Sequence, residues 1–313
     1  MEYKRLGSTD LEISRIGFGC WAIGGHGYGK VDDSESIRAI HNALDLGINV
    51  FDTADVYGFG HSEEILGKAL GSKKSEVVIA TKFGVNWDNS GKTFYDCSPK
   101  RATEALEGSL RRLKTDCVTL YQIHWYDNVT PISETVEVLR KCQQAGKIRY
   151  IGCSNFPLSL LLETVEVYRI ESLQCSYNIS QRNLGTEMIK CCETFNISII
   201  AYNVLARGLF SGKYDLNTQF AHGDTRGEED DFRGEKLIQH LQIVNKIKKV
   251  GLFYKKSPSQ VAIRWVLDNP SITSALVGIK VSQQILENSG ALGWKLREED
   301  LEYIKSKNCK NGD

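Results

Sequence analysis

Short apolar runs rich in β-branched residues recur along the chain at near-uniform spacing, and amphipathic segments fill the intervals. The runs are Ile13–Phe18, Asn49–Thr53, Val77–Lys82, Val118–His124, Ile148–Ser154, Leu173–Tyr177, Ile197–Tyr202 and Ala275–Ile279. Runs this short and this continuously apolar are typical of strands buried on both faces. The intervening segments have helical periodicity and legible ends. Asp33–Leu46 carries Ile37, Ile40 and Leu44 on one face and stops at Gly47, a residue that favours the position just past a helix C-terminus. Ser62 is expected to cap a helix bearing Ile65, Leu66 and Leu70. Ser98-Pro99 and Ser257-Pro258 each place a capping hydroxyl before a first-turn proline, which marks two further helix starts. Eight strand–helix units in succession predict an α/β fold, a (β/α)8 TIM barrel rather than an open doubly wound sheet.

Two departures from the rhythm add detail. Tyr3 to Gly17 holds two extended pieces around Gly-Ser-Thr-Asp, which reads as an N-terminal β-hairpin. Between the seventh and eighth runs lie roughly seventy residues, too many for a plain connection. The polar stretch Gly212–Gly234 reads there as a loop, followed by an extra helix near Leu237–Val250, and Glu298–Lys305 predicts a last helix before a polar tail. No composition break divides the chain, so residues 1–313 are expected to form one barrel domain.

Charge changes the range of partners. The 39 basic and 39 acidic residues cancel, so nucleic acid and anionic membranes lack an electrostatic argument. No run approaches the length of a membrane span, and the opening Met-Glu-Tyr-Lys-Arg-Leu-Gly lacks the apolar core of a signal peptide. A cytoplasmic protein with a small-molecule ligand is the expectation, as a monomer or weak homo-oligomer. The nine cysteines are scattered, with no C-x-x-C and no histidine at ligand spacing, which fits reduced thiols and no metal site.

The barrel reading requires polar side chains at the C-terminal ends of several strands to converge on one site. The second run ends in Asp52 and leads to Tyr57, the third ends in Lys82, and the fourth ends in Gln122-Ile123-His124-Trp125. A lysine ending an apolar strand needs a counter-charge, and Asp52 on the neighbouring strand supplies one. The lysine cation is expected to lower the Tyr57 pKa and make the phenol a usable proton donor. His124 is placed to hydrogen-bond a substrate oxygen. Such a set suits carbonyl reduction. Asp55 is expected to cap the turn that presents Tyr57.

The blocks Phe51-Asp-Thr-Ala-Asp-Val-Tyr57, Ala80-Thr-Lys82, Tyr121-Gln-Ile-His-Trp125, Gly146-Lys-Ile-Arg-Tyr-Ile-Gly-Cys-Ser-Asn-Phe156 and Leu205-Ala-Arg-Gly-Leu209 resemble the signature blocks of the aldo-keto reductases, almost end to end. The resemblance implies a (β/α)8 barrel using a nicotinamide cofactor, usually NADPH, without a Rossmann domain. It implies Tyr57 as general acid, Asp52 and Lys82 as its tuning pair, and His124 as the group that orients the carbonyl. Members that reduce steroid carbon–carbon double bonds carry glutamate where this chain has His124, so carbonyl chemistry is preferred. The resemblance also extends to potassium-channel beta subunits, which bind the nucleotide in a regulatory role. That is the alternative function: a nucleotide-binding adaptor with little turnover.

Gly17-Phe-Gly19-Cys-Trp-Ala22 matches a dinucleotide fingerprint only superficially, because further glycines follow where a helix should begin. By resemblance, Ser154, Asn155 and Gln174 meet the nicotinamide carboxamide, Tyr202 stacks on its ring, and Leu205, Arg207 and Gly208 lie at the pyrophosphate. Gly278, Lys280, Gln284, Glu287 and Asn288 correspond to the adenosine end, with the helix near Ser282 offering free N–H groups to a phosphate. Lys280 favours a 2′-phosphate and therefore NADPH, with NADH as the alternative, since strongly NADP-dependent members often place arginine at Gln284. The loop Tyr202-Asn203-Val204-Leu205 lacks the proline of many relatives. Candidate pocket walls are Trp21, which also borders the cofactor, Phe83, Trp87, Trp125 and Tyr126, with Trp87 on a polar loop expected to be mobile. A roomy site for small aldehydes or ketones follows.

Overall fold

The computed structural model describes residues 1–306; Cys309 and the end of the polar tail lie outside them. A two-stranded antiparallel hairpin comes first, β1 (Tyr3–Arg5) and β2 (Glu12–Ser14), in the register Tyr3↔Ser14. Eight parallel strands then close a barrel: β3 (Ile16–Gly19), β4 (Val50–Asp52), β5 (Val78–Phe83), β8 (Val118–Ile123), β9 (Ile148–Ser154), β10 (Ser172–Ser176), β11 (Ser198–Tyr202) and β12 (Ile272–Gly278). Between β5 and β8 lies a second hairpin, β6 (Val85–Trp87) and β7 (Thr93–Tyr95). The helices are α1 (Asp33–Asp45), α2 (His61–Leu70), α3 (Pro99–Leu113), α4 (Ile132–Gln144), α5 (Leu158–Val167), α6 (Thr186–Thr194), α7 (Gly234–Tyr254), α8 (Pro258–Leu267), α9 (Ser282–Ser289) and α10 (Glu298–Lys305).

The first apolar run belongs to two elements rather than one. Ile13 lies in the hairpin and Ile16–Gly19 in the barrel, because the chain turns at Arg15 from one sheet to the other. The hairpin plugs the N-terminal end: Leu6 and Ile13 pack with the interior residues Val50, Val78, Ala80, Leu120, Ile200 and Leu276. The expected mobile loop at Asn86–Phe94 is instead the β6–β7 hairpin, closed by Asp88, whose carboxylate accepts the Ser90 and Lys92 N–H groups at 2.8 and 3.1 Å. The long segment after β11 carries short 3-10 turns at Thr225–Glu228 and Asp230–Phe232 before α7.

Helix starts follow the sequence closely. Ser98 Oγ accepts the Arg101 N–H, and Ser257 forms a reciprocal capping box with Gln260. Ser62 is an exception. It sits inside α2, and its hydroxyl bonds the Cys20 carbonyl and the Thr53 hydroxyl, each at 2.9 Å, so it ties the helix to the barrel instead of capping it.

Strand alternation divides the barrel interior along its axis. Reading each strand toward its C-terminal end, Val50 is followed on the same face by Asp52, Ala80 by Lys82, Leu120 by Gln122, Ser172 by Gln174, and Ile200 by Tyr202. The lower layers, Ser172 apart, are apolar and sealed by the hairpin; the upper layer is polar.

Candidate active site

At the top of the barrel the side chains converge on Asp52. Lys82 is fully buried and its ammonium donates to Asp52 Oδ1 at 2.6 Å, to the Thr53 carbonyl at 2.8 Å and to Tyr57 Oη at 3.4 Å. The other carboxylate oxygen of Asp52 accepts Gln122 Nε2 at 3.2 Å and Gln174 Nε2 at 2.7 Å. Asp52 is thus a four-strand junction. Gln122 was visible in sequence only as part of a polar strand end, and its inward parity with His124 was the available signal.

Tyr57 is presented by a loop that packs backbone to backbone against the loop following β3. A Cβ on Gly58 would lie 2.1 Å from the Gly24 carbonyl oxygen, and Gly58 has φ of +59°. Only glycine meets both demands, so the Gly24–Gly58 contact fixes the depth at which the phenol sits. Trp21 stacks on the Tyr57 ring at 6.0 Å, and the His124 ring meets it edge-on at 5.6 Å.

The electrostatics correct one expectation. The Tyr57 phenol is pushed well above its ordinary value, by burial first and then by the Asp52 carboxylate. Lys82, 3.4 Å from Oη, does not outweigh these two effects, because its ammonium is matched at 2.6 Å by Asp52. The phenol is held protonated. His124 is driven well below its usual value by burial and by the Lys82 cation, so its imidazole is neutral, and its buried Nδ1 has no hydrogen-bond partner among the described residues.

Asp55 does not serve chiefly as a turn cap. It is completely buried and paired with Arg101 of α3, and burial raises its carboxyl to about 7 against the lowering pull of that guanidinium. Arg101 in turn lies 5.3 Å from the Trp87 ring.

The residues expected at the cofactor fall into two groups. Ser154, Asn155 and Tyr202 form one side-chain network beside His124: Tyr202 Oη donates to Asn155 Oδ1 at 2.8 Å, and Asn155 Nδ2 donates to Ser154 Oγ at 3.0 Å and to the His124 carbonyl at 3.2 Å, while Gln174 joins it through its backbone carbonyl, which accepts the Asn155 N–H at 2.9 Å. The loop after β11 is tightly wound, with Asn203, Ala206, Arg207 and Gly208 all at positive φ. There two backbone amides are engaged within the loop: Asn203 Oδ1 accepts the Arg207 N–H at 3.0 Å, and the Leu205 carbonyl accepts that of Gly208 at 2.9 Å. The Arg207 side chain pairs with Glu229 and stacks on Trp21 and Tyr28 at 5.0 and 4.9 Å.

At the far end, Gly278 closes β12 opposite Gly19, with open space where a side chain would stand. Lys280 Nζ donates to the Tyr28 carbonyl at 2.6 Å, and Gln284 Oε1 accepts the N–H groups of Lys280 and Val281. Glu287 accepts the Ser257 hydroxyl at 2.8 Å, and Asn288 is buried beside it in α9. The α9 N-terminus is not wholly free, because Glu35 Oε1 takes the Ser282 N–H at 2.9 Å.

Of the pocket walls, Trp21 and Trp125 are exposed at the barrel mouth, and Trp87 packs on Phe59 at 5.5 Å. Trp125 stacks on Tyr95 of the second hairpin at 6.1 Å. Phe83 is not a wall. It is fully buried and stacked at 5.1 Å on Tyr121, whose hydroxyl reaches the Ala102 carbonyl of α3, so it faces the helical layer. Its position next to inward-facing Lys82 requires this. Tyr126 packs beside Phe156 and bonds the Thr130 carbonyl.

A family model described as the aldo/keto reductase family matches residues 15–309. The chain belongs to that family. Aldo-keto reductase YhdN of Bacillus subtilis (strain 168) is 38% identical over 98% of this chain and 93% of its own length. The NADH-specific methylglyoxal reductase of Escherichia coli (strain K12) is 32% identical over 96% of both chains. Among solved structures, a glycerol dehydrogenase from Gluconobacter oxydans superposes with a TM-score of 0.88 at 38% identity, covering 96% of this chain and 93% of that one. As an aldo-keto reductase, the protein is an oxidoreductase on a TIM barrel, of a family that uses nicotinamide cofactors. Among the described residues, no helix is long and apolar enough to cross a membrane, and no group of histidine, cysteine and carboxylate side chains could hold a metal.

Proposed function

We propose that the protein reduces an aldehyde or ketone to an alcohol with a reduced nicotinamide dinucleotide, Tyr57 acting as the general acid. The observation that carries the reading is the convergence of a protonated phenol, a buried ion pair and a neutral imidazole at one barrel end. The chain's own groups suit the cofactor. Asn155, Gln174 and Ser154 have amide and hydroxyl atoms complementary to a carboxamide, and Tyr202 offers a ring beside them. The bound cofactor supplies hydride to the carbonyl carbon.

Tyr57 Oη gives its proton to the carbonyl oxygen, so the oxygen leaves as a hydroxyl and not as an alkoxide. Acid catalysis of this kind contributes roughly 100- to 10,000-fold. Lys82, 3.4 Å from Oη, stabilises the phenolate formed as the proton departs. His124, neutral and facing Tyr57, hydrogen-bonds the same oxygen and sets its direction. Trp21, Trp87 and Trp125 bound the mouth through which the substrate enters. Lys280 and Ser282 mark the adenosine end.

Tyr57→Phe retains the ring and deletes the proton donor. With a panel of small aldehydes and ketones, it is expected to lower kcat at least about 100-fold while leaving nucleotide affinity within about threefold. Turnover near wild type would remove Tyr57 from this role. Tight nucleotide binding without turnover in the wild type would favour a regulatory subunit.

A further inference from the structure

The N-terminus of α9 is where a ribose 2′-phosphate would find unpaired backbone N–H groups and the Lys280 ammonium. In this chain that position already holds an anion. Glu35, in the first turn of α1, sends Oε1 to the Ser282 N–H at 2.9 Å, while Oε2 is held by Arg38 Nε at 3.1 Å. The two helices are 247 positions apart in sequence, so the contact exists only in the folded barrel. The Ser282 N–H and the Arg38 guanidinium hold the Glu35 carboxyl below its usual range, so it is ionised at neutral pH. Lys280, the cation expected to draw the phosphate, has its ammonium on the Tyr28 carbonyl at 2.6 Å.

We propose that Glu35 is a cofactor-selectivity residue, which rests on the nicotinamide-dependent reading above. A carboxylate on the Ser282 N–H competes with a 2′-phosphate for the same donor and repels it. A free ribose 2′-hydroxyl is neutral and can donate to that carboxylate, the contact by which acidic side chains recognise NADH in other dinucleotide folds. Glu35 therefore shifts the site toward NADH and offsets the pull of Lys280 toward NADPH.

The test measures nucleotide affinity directly. Purified full-length protein is titrated with NADH and with NADPH, following quenching of tryptophan fluorescence, for the wild type, E35Q and K280M. E35Q retains an acceptor oxygen and removes the charge, and with it the ion pair to Arg38. It is expected to tighten NADPH at least about fivefold, the scale of one charge contact near a protein surface, and to leave NADH unchanged or weaker. K280M is expected to move the ratio the opposite way. Equal shifts for the two nucleotides, or an unchanged NADPH Kd in a folded E35Q protein, would overturn the role of Glu35 alone. Failure of the wild type to bind either nucleotide would overturn the parent reading with it.

Discussion

Replacing Lys82 with methionine tests the central pair without altering the shape of the upper layer very much. The ammonium is fully buried, donating at 2.6 Å to Asp52 and at 2.8 Å to the Thr53 carbonyl. Methionine leaves the Asp52 carboxylate with two neutral amide donors and no cation, and it leaves the Thr53 carbonyl short of a partner. Breaking a buried ion pair from one side costs about 3–5 kcal/mol, most of it the penalty of the stranded charge. The Gln122 and Gln174 amides soften that penalty, so about 3 kcal/mol is expected. Removing the charge as well, in Asp52→Leu/Lys82→Met, should recover about 1–3 kcal/mol relative to the sum of the single variants. Urea unfolding followed by tryptophan fluorescence, with the slope checked for constancy, measures all three. A Lys82→Met variant within about 1 kcal/mol of wild type, or a double variant equal to the sum, would refute the claim that the two groups form one buried unit.

Gly58→Ala forces a Cβ to within 2.1 Å of the Gly24 oxygen at a positive φ; it should cost about 1–3 kcal/mol and, by shifting Tyr57, lower kcat about 100-fold, whereas an unaltered kcat would show that the glycine contact does not position the phenol. The Asp55 carboxyl, raised to about 7 in the folded chain from an ordinary 3.8, retains its proton where the unfolded chain has lost it. Ionisation therefore works against folding, and stability should fall as pH rises from about 4 to 7, by at most roughly 4 kcal/mol at about 1.4 kcal/mol per unit. Asp55→Asn should flatten that decline in urea midpoints between pH 4.5 and 8; an identical slope in the variant would remove Asp55 as its source.

The barrel could be read from sequence because its strands are buried on both faces and announce themselves as apolar runs. The catalytic candidates could be read because Asp52, Lys82 and His124 each interrupt such a run at its C-terminal end, where apolar residues would otherwise continue. Other features had no such contrast. The β6–β7 hairpin is polar and short, so Asn86–Phe94 looked like loop, and its order comes from the Asp88 turn and from Tyr95 stacking on Trp125. Phe83 was misplaced although strand parity beside Lys82 decides its face. The direction of the Tyr57 shift is set first by the burial of the phenol, which no residue pattern contains. Glu35 was hidden for a related reason: an acidic residue in a first helical turn is ordinary, and its contact lies at the other end of the chain.

The junction at Asp52 also bears on how the chain finds its closed form. Its partners come from β5, β8 and β10, and the Gln174 contact spans 122 residues, so the full set assembles only when both halves of the barrel have met. A strand slipped by one residue would turn its polar end group outward and strand the Asp52 charge in an apolar wall. The carboxylate therefore acts as a proofreader of strand register for β5, β8 and β10, penalising closures in which any of the three has slipped by one residue.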